Sequence, residues 1–373
     1  MLKIWSILVI CLLKCEALGL HPQSASLRTS RACCLGKIHA VPPISSIPQV
    51  SLDDLRAAHQ SLVTSMELAA AQTSEIDMTY AFMLPTAIAV SVLAISAGIG
   101  GAALFAPILL IFFPLLGPEY PLQSASASVA TAILVETFGF SSGCLGYLRR
   151  NLIDGDIALE FSAISVPVAI LSAKYLTLDP VALKILYSAL MLALSAYFLL
   201  GGTTDEEVSV ANDSIDCDIE PVESCVTRFD TAGNEYEYDT RVMTSFGGIA
   251  TALGGGLTGV LGVGIGEVVL PQLLRRGVPV PVAAASSTLC VTFTALSAAM
   301  IQISSLMTNA EGGGLSVVPW NLLQFMIPGV LIGGQIAARL QGKVPQEQLE
   351  KAIGTLFGAI GASFAVLTYY QTH

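Results

Sequence analysis

The stretch that decides the fold is residues 82–116, FMLPTAIAVSVLAISAGIGGAALFAPILLIFFPLL, which contains no charged side chain. As one α-helix it would be about 52 Å long, whereas the hydrocarbon layer of a membrane is about 30 Å thick. Three glycines lie near its centre, in Gly98–Gly101, and each weakens a helix by up to about 1 kcal/mol. We therefore predict a break there, with two half-helices forming a re-entrant pair around a glycine tip.

The whole chain has the composition of a polytopic membrane protein. Of its 373 residues, 53% are hydrophobic and 12% are charged, whereas soluble domains carry about 25% charged residues. Apolar blocks form two groups of four, at 82–116, 122–148, 157–178 and 180–201, and at 243–274, 279–307, 316–339 and 349–370. Crossing the hydrocarbon layer takes roughly 20 apolar residues. The predicted fold class is an all-α polytopic membrane protein with the lipid bilayer as its surroundings.

The net charge of −11 comes from one loop, because Thr203–Thr240 contains 12 acidic residues and a single basic one, Arg228. Such acidic segments are usually solvated and disordered. We predict an acidic linker at 202–241 between transmembrane repeat 1 (80–201) and transmembrane repeat 2 (242–373). The remaining residues are neutral in sum, so the sequence indicates no nucleic-acid partner.

Two motifs recur in the same order in both halves. Gly98-Ile99-Gly100-Gly101 with Pro107 matches Gly262-Val263-Gly264-Ile265 with Pro271, at an offset of 164. Pro121-Leu122-Gln123-Ser124-Ala125-Ser126 matches Pro281-Val282-Ala283-Ala284-Ala285-Ser286, at an offset of 160. The pattern predicts an internal repeat in which the first helix of each half is broken by glycine.

Basic residues give a prediction of topology. They cluster at Arg149-Arg150, at Arg275-Arg276 and over Arg339–Lys343. If both broken blocks turn back, three crossings remain in each half and all three clusters lie on one side, as the positive-inside rule prefers. The two halves are then inverted relative to each other, as in many secondary transporters.

The N-terminus resembles a targeting segment. Lys3 precedes a short apolar run, and residues 17–52 carry basic residues and serines without any acid. We predict a cleaved leader at 1–52, a signal peptide followed by a transit peptide, which favours the plastid envelope of an alga. An ordinary secretory signal with a disordered tail, and hence the plasma membrane or an endomembrane, is the alternative. Residues 53–79 are predicted to be an amphipathic pre-segment.

The repeated motifs resemble those of the TauE/SafE sulfite-exporter family of membrane permeases. The resemblance covers residues 80–370 and departs from the family pattern at Glu267, where a small residue is expected, and in the long acidic linker. It implies a transporter of sulfite or of a related sulfur oxyanion or organosulfonate. A membrane scaffold or receptor that acts through its acidic loop is the alternative function.

The half-helix N-termini of a re-entrant pair expose backbone N–H groups that bind anions, and neighbouring hydroxyls add donors. The predicted substrate-binding residues are Gly98, Gly100, Gly101, Pro107, Ser126, Ser128, Thr131, Gly262, Gly264, Gly266, Pro271, Ser286, Ser287 and Thr288. The alternative role of the small and hydroxyl residues is close helix packing and interhelical hydrogen bonding.

Two acids lie within the apolar blocks, Glu136 and Glu267. Intramembrane carboxylates often belong to proton relays, so both are predicted to couple transport to protons; a protonated structural glutamate is the alternative. No cofactor or metal is predicted. The four histidines all lie outside the apolar blocks, which disfavours an intramembrane serine/histidine enzyme, and we expect no enzymatic activity.

Overall fold

The computed structural model of the chain describes residues 78–117, 125–176, 178–200, 225–309, 319–341 and 346–372. The predicted leader and nearly all of the amphipathic pre-segment lie outside these residues. Seven described helices are long and apolar enough to cross a membrane: Met78–Ser96, Ser126–Arg149, Gly155–Tyr175, Val181–Leu200, Val280–Leu306, Trp320–Leu340 and Lys351–Thr368. The predicted class, an all-α polytopic membrane protein, is confirmed.

The first half consists of a broken helix followed by three long ones. After a 3₁₀ turn at Met78–Tyr80, its elements are α1 (Met83–Ser96), α2 (Ala102–Pro107), a π-helical turn (Ile108–Phe112), α3 (Phe113–Leu116), α4 (Ala125–Arg149), α5 (Gly155–Tyr175) and α6 (Pro180–Leu200). The segment from α2 to α3 is one uninterrupted helical run, because the π-helical turn joins them directly.

The second half has the same order of helices after a β-hairpin. Its elements are β1 (Cys225–Phe229), β2 (Glu235–Asp239), α7 (Ser245–Leu261), α8 (Ile265–Leu274), α9 (Val280–Asn309), α10 (Trp320–Leu340) and α11 (Gln346–Thr372). The break between α7 and α8 corresponds to the break between α1 and α2. In both, the first glycine of the motif has a left-handed backbone, with φ of 65° at Gly98 and 78° at Gly262, a conformation that only glycine adopts at little cost.

Both broken helices turn back on themselves. In the first, the rings of Phe82 and Phe113 are 6.2 Å apart, so the start of α1 lies beside α3. In the second, Gln272 Nε2 donates to Thr251 Oγ1 at 3.4 Å, so the end of α8 lies beside the first part of α7. Each broken helix is therefore a helical hairpin with a glycine tip; we call these tip 1 (residues 97–101) and tip 2 (residues 262–266).

The long helices pack in pairs, and each pair joins a helix of the first half to a helix of the second. Helix α1 packs on α10, and α4 packs on both α10 and α9. Helix α5 packs on both α7 and α9, and α6 packs on α11. Small residues allow the close approach: a β-carbon placed on Gly329 would lie 2.7 Å from Ala87 Cβ, and one on Gly333 2.7 Å from Ser91 Cβ. These two contacts also show that α1 runs parallel to α10.

The described arginines of the three basic clusters lie at one end of the helix bundle, which we call the basic end: Arg149, Arg150, Arg275, Arg276 and Arg339. Lys343 of the third cluster lies outside the described residues. Arg150 Nη1 donates to the Ala338 carbonyl at 2.6 Å, so the ends of α4 and α10 are adjacent. Helix α7 runs parallel to α5, with Gly248 beside Ile164 and Gly256 beside Val168. Since α5 starts at the basic end, α7 does too, and α8 returns there with Arg275 and Arg276.

The two hairpins therefore enter the bundle from opposite ends. Helix α7 begins at the basic end, whereas α1 runs parallel to α10 and so begins at the other end. Their tips meet inside the bundle, beside the middle of α4.

Part of the acidic linker is folded. Strands β1 and β2 pair antiparallel, with Cys225 opposite Asp239, and the hairpin sits on the loop between α4 and α5. Arg228 Nη1 donates to the Ile153 carbonyl at 2.6 Å and its Nη2 lies 3.6 Å from Asp154 Oδ2. Tyr238 donates to the same carboxylate oxygen at 2.7 Å. This buried polar network holds the hairpin on the basic end.

The hairpin turn is centred on Asp230, which is 6% exposed. Burial acts to raise the pKa of this carboxyl, but hydrogen bonds from Asn234 and Ala232 and the charge of Arg150 outweigh it, and the net pKa lies below its ordinary value. Arg150 Nη2 is 4.0 Å from Asp230 Oδ2. The turn is thus built around a carboxylate that remains ionised.

Candidate functional site

The two glycine tips contact each other through their backbones. A β-carbon on Gly266 would lie 2.9 Å from the Gly98 carbonyl oxygen and 3.0 Å from the Gly100 nitrogen. One on Gly262 would lie 3.0 Å from Ala102 Cβ and 2.6 Å from Ile133 Cγ1. Side chains at these positions would hold the tips apart, so glycine is required for their close approach.

Glu267 joins the two tips. Its Oε1 accepts a hydrogen bond from the Gly100 N–H at 3.1 Å, and its Oε2 accepts one from the Gly264 N–H at 3.0 Å. The second bond caps the start of α8, where a carboxylate is favoured by the free N–H groups and by the helix dipole. The first reaches across to the opposite hairpin. Glu267 is 5% exposed, so its carboxylate is enclosed between backbone donors of both tips.

Glu136 brings a second carboxyl to the same place from α4. A β-carbon placed on Gly100 would lie 3.2 Å from Glu136 Oε1 and 3.3 Å from Glu267 Oε1. Glu136 is 2% exposed, and neither of its carboxyl oxygens makes a hydrogen bond of standard geometry. The N–H groups of Gly101 and Ala102 lie close enough to interact with it. Two buried carboxyls thus flank the backbone of tip 1.

Of the predicted hydroxyl residues, Ser287 reaches a tip: its Oγ donates to the Gly98 carbonyl at 3.4 Å. Ser286 Oγ instead accepts from the Asp154 N–H at 2.9 Å, which ties α9 to the α4–α5 loop. Thr288 donates to the Ala284 carbonyl of its own helix at 2.7 Å.

The predicted hydroxyl residues of α4 differ in their exposure. Ser126 is exposed at the start of the helix, while Ser128 and Thr131 are buried. Thr131 precedes Glu136 by five residues, which at 100° per residue places the two side chains on different faces. The structure thus brings together Gly98, Gly100, Gly101, Gly262, Gly264, Gly266, Glu136, Glu267 and Ser287.

The two motif prolines lie outside this cluster. Pro107 ends α2 and lines an apolar groove between the first hairpin and α11, and Pro271 is inside α8. They follow the ends of the tips by six and five residues, about one and a half helical turns, and their predicted part in substrate binding stays a prediction.

Two supporting residues were not found from the sequence. Thr258 Oγ1 accepts from the Ile265 N–H at 3.0 Å and donates to the Gly254 carbonyl at 2.9 Å, so it braces tip 2. Tyr187 of α6 donates to the carbonyls of Ala102 and Ala103, at 3.2 and 2.9 Å. The signal for Tyr187 was available, because a tyrosine deep in an apolar block needs a partner for its hydroxyl.

These observations together define an all-α polytopic membrane protein with two backbone tips and two buried carboxyls at its centre. The protein-family description "Sulfite exporter TauE/SafE" matches residues 83–364. The match covers well over half of the chain, so the protein belongs to this family, and the resemblance found in the glycine motifs is confirmed. The chain has no significant match among curated proteins and none among solved structures.

Proposed function

We propose that the protein is a permease for a small anion, of the class of sulfite and related sulfur oxyanions or organosulfonates, and that the anion binds between the two tips. The observation that carries this proposal is the position of Glu267. The two oxygens of its carboxylate accept from Gly100 on one hairpin and from Gly264 on the other. The tips therefore present donors spaced for two oxygens of a single oxyanion group, and backbone N–H groups at helix starts favour such ligands.

The arrangement of the hairpins supports transport rather than permanent binding. We propose that the halves are inverted repeats with three crossings each, so that the tips are approached from opposite sides of the membrane, as in alternating-access transporters. Single cysteines in place of Arg149, Arg276 and Arg339 should be labelled from one side. A cysteine in place of Leu176, at the far end of α5, should be labelled from the other, and any other partition contradicts the inverted arrangement.

Proton coupling through Glu136 and Glu267 is part of the proposal, because both carboxyls face the same tip backbone. We also propose that residues 1–52 are removed as a leader, with the plastid envelope of an alga as the destination and the plasma membrane or an endomembrane as the alternatives. Expression of residues 1–52 fused to a fluorescent protein would distinguish these membranes.

The test of function is exchange of labelled for unlabelled sulfite in proteoliposomes that contain residues 51–373. Gly100→Leu places a side chain against both carboxyls, where a β-carbon alone would be 3.2 Å from Glu136, and we expect it to abolish exchange. Gly256→Leu is the matched control, because a β-carbon there would meet only Val168 at 3.6 Å. No exchange of sulfite, thiosulfate or small sulfonates by folded wild type would refute the proposal.

A further inference from the structure

The backbone donors of the two tips already hold an anion that belongs to the protein. Glu267 occupies the N–H groups of Gly100 and Gly264, which are the groups that the proposed function assigns to the substrate. We propose that the Glu267 carboxylate is an internal competitor of the transported anion, released when it takes up a proton, so that one proton and one anion cross the membrane in the same direction. This inference rests on the proposed function and specifies how its site is controlled.

The competition follows from the number of donors. Each of the two N–H groups carries one hydrogen, and both hydrogens are directed at Glu267 oxygens, at 3.1 and 3.0 Å. A second oxyanion in the same place would bring another negative charge beside a carboxylate inside the protein, where like charges repel strongly. The substrate can therefore use these donors only after Glu267 has left them or lost its charge.

Glu136 provides independent support for a bound proton in the site. Its carboxyl is directed at the same tip, is 2% exposed and makes no hydrogen bond of standard geometry. A charged carboxylate with only weak partners, here the nearby N–H groups of Gly101 and Ala102, is disfavoured in the protein interior, and a second carboxylate nearby adds repulsion. The pair therefore shares at least one proton, and Glu136, with fewer partners than Glu267, is the carboxyl that keeps it.

In the part of the chain that the structure describes, no cation acts on either carboxyl, since no Lys, Arg or His is among the charged groups that interact with them. The other titratable group facing them is Tyr187 of α6, whose hydroxyl donates to the Ala102 and Ala103 carbonyls. Neighbouring groups from α7 and α9 are the neutral hydroxyls of Thr258 and Ser287.

The charges balance through the cycle. In the resting site Glu136 is neutral and Glu267 carries one negative charge. One proton enters from solution and reaches Glu267 either directly or through Glu136, which gives up its own proton and takes the entering one in its place. Glu267 is then a neutral carboxylic acid and releases the two N–H groups. A monovalent anion then takes these donors, and the site again carries one negative charge. Proton and anion leave together on the other side, and Glu267 returns to the tips. The transfer forms and breaks only O–H bonds.

The inference is tested by sulfite exchange at acidic and alkaline pH, equal on both sides of the liposome membrane. We expect wild-type exchange to fall with rising pH, with a limiting slope of about tenfold per pH unit beyond that of the substrate itself. Glu267→Gln, which cannot ionise, should lose this extra dependence and should no longer accumulate sulfite under a pH gradient. Glu160→Gln, on the exposed face of α5, is the matched control and should behave as wild type.

Because the substrate's own titration is the same for every variant, a pH profile of Glu267→Gln identical to that of wild type would overturn the inference. If Glu267→Gln does not fold, Glu267→Asp keeps the charge on an arm one methylene shorter, which cannot reach both tips. Because this carboxylate still has to take up a proton before an anion can bind, Glu267→Asp should keep the extra pH dependence, and its loss would also overturn the inference. Absence of exchange in folded wild type refutes the proposed function instead, so the two failures are distinguishable.

Discussion

A single methyl group at Gly266 tests the contact between the tips. In Gly266→Ala the new β-carbon would lie 2.9 Å from the Gly98 carbonyl oxygen, 3.0 Å from the Gly100 nitrogen and 3.2 Å from the Ile99 carbonyl carbon. All three are backbone atoms, which cannot rotate away as a flexible side chain can. Overpacking of this kind costs about 1–3 kcal/mol, and the backbone neighbours place this case in the upper part of that range.

A matched variant removes the contribution of helix propensity. Gly256→Ala is also a glycine-to-alanine change in a helix of the second hairpin, but its β-carbon meets only Val168 Cγ1, at the ordinary distance of 3.6 Å. In Gly256→Ala the better helix propensity of alanine should raise the free energy of unfolding by up to about 1 kcal/mol. We expect the two variants to differ by about 2–3 kcal/mol, or roughly 4–8 °C in melting midpoint.

Thermal unfolding in detergent measures this difference, and sulfite exchange in liposomes measures its effect on the site. Gly266→Ala should melt lower than wild type and lose most of its exchange, because the Gly100 and Gly264 N–H groups would no longer be held together. If Gly266→Ala melts at or above Gly256→Ala and exchanges sulfite normally, the tips are not in contact and the argument for a site between them fails.

Three further predictions concern the hairpin and the buried carboxyls. Arg228→Ala removes a charge-assisted partner of Asp154 and should destabilise the docked hairpin by about 1.5–3 kcal/mol. Amide hydrogen exchange of residues 225–239 should therefore become faster, whereas Arg241→Ala, a change of a nearby arginine, should leave it unchanged. Equal exchange rates in both variants would contradict the docking. The lowered pKa of Asp230 means that its contribution to hairpin stability is present above the pKa of the unfolded residue and is lost as the pH falls through the lower folded-state pKa. Protection of the hairpin amides should thus persist at about pH 4 and disappear only in stronger acid, and loss near pH 6 would be inconsistent with this. Glu136→Met replaces a buried carboxyl that makes no hydrogen bond of standard geometry, so the melting midpoint should rise while pH-driven accumulation of sulfite is lost. A lower midpoint would show that Glu136 stabilises the fold.

The breaks in the two first helices could be predicted from the sequence because their cause is local. The glycines of residues 98–101 weaken any helix in which they occur, and the run around them is too long for one crossing. The class of protein followed for the same reason, since apolar length and the scarcity of charge are properties of single segments. Gly98 and Gly262, which the spacing pairs, both have a left-handed backbone, while the internal repeat itself stays a prediction.

The members of the site could be predicted from the sequence, but the contacts between them could not, because those contacts join distant segments. Gly100 and Glu267 are 167 positions apart, and nothing local to either residue indicates that they meet. Similarly, the hydroxyl groups of Ser286 and Thr288 were interpreted as one set with Ser287. Their helix directs them to Asp154 and to Ala284, because successive residues on a helix point 100° apart.

The β-hairpin in the linker was not predicted from the sequence because the linker is so acidic. Twelve acids over 203–240 indicate a solvated segment, and the alternation of glutamate and tyrosine in Glu235–Asp239, typical of a strand with one buried face, lies within that acidic run. Tyr238 is fully buried, so in this short stretch the alternation was the better guide than the charge.

The docked hairpin adds contacts that hold the helices together at the basic end of the bundle. At the basic end, Arg228 forms an ion pair with the Asp154 carboxylate and Tyr238 donates a hydrogen bond to it. The backbone N–H of Asp154 in turn donates to Ser286 Oγ of α9. A movement that separates α9 from the α4–α5 loop has to break these bonds, each worth about 1–3 kcal/mol. A bias of that size shifts a two-state equilibrium by a factor of roughly 5–150. In the transport cycle that we propose, the hairpin would favour the state closed at the basic end, and these contacts would have to break each time that end opens.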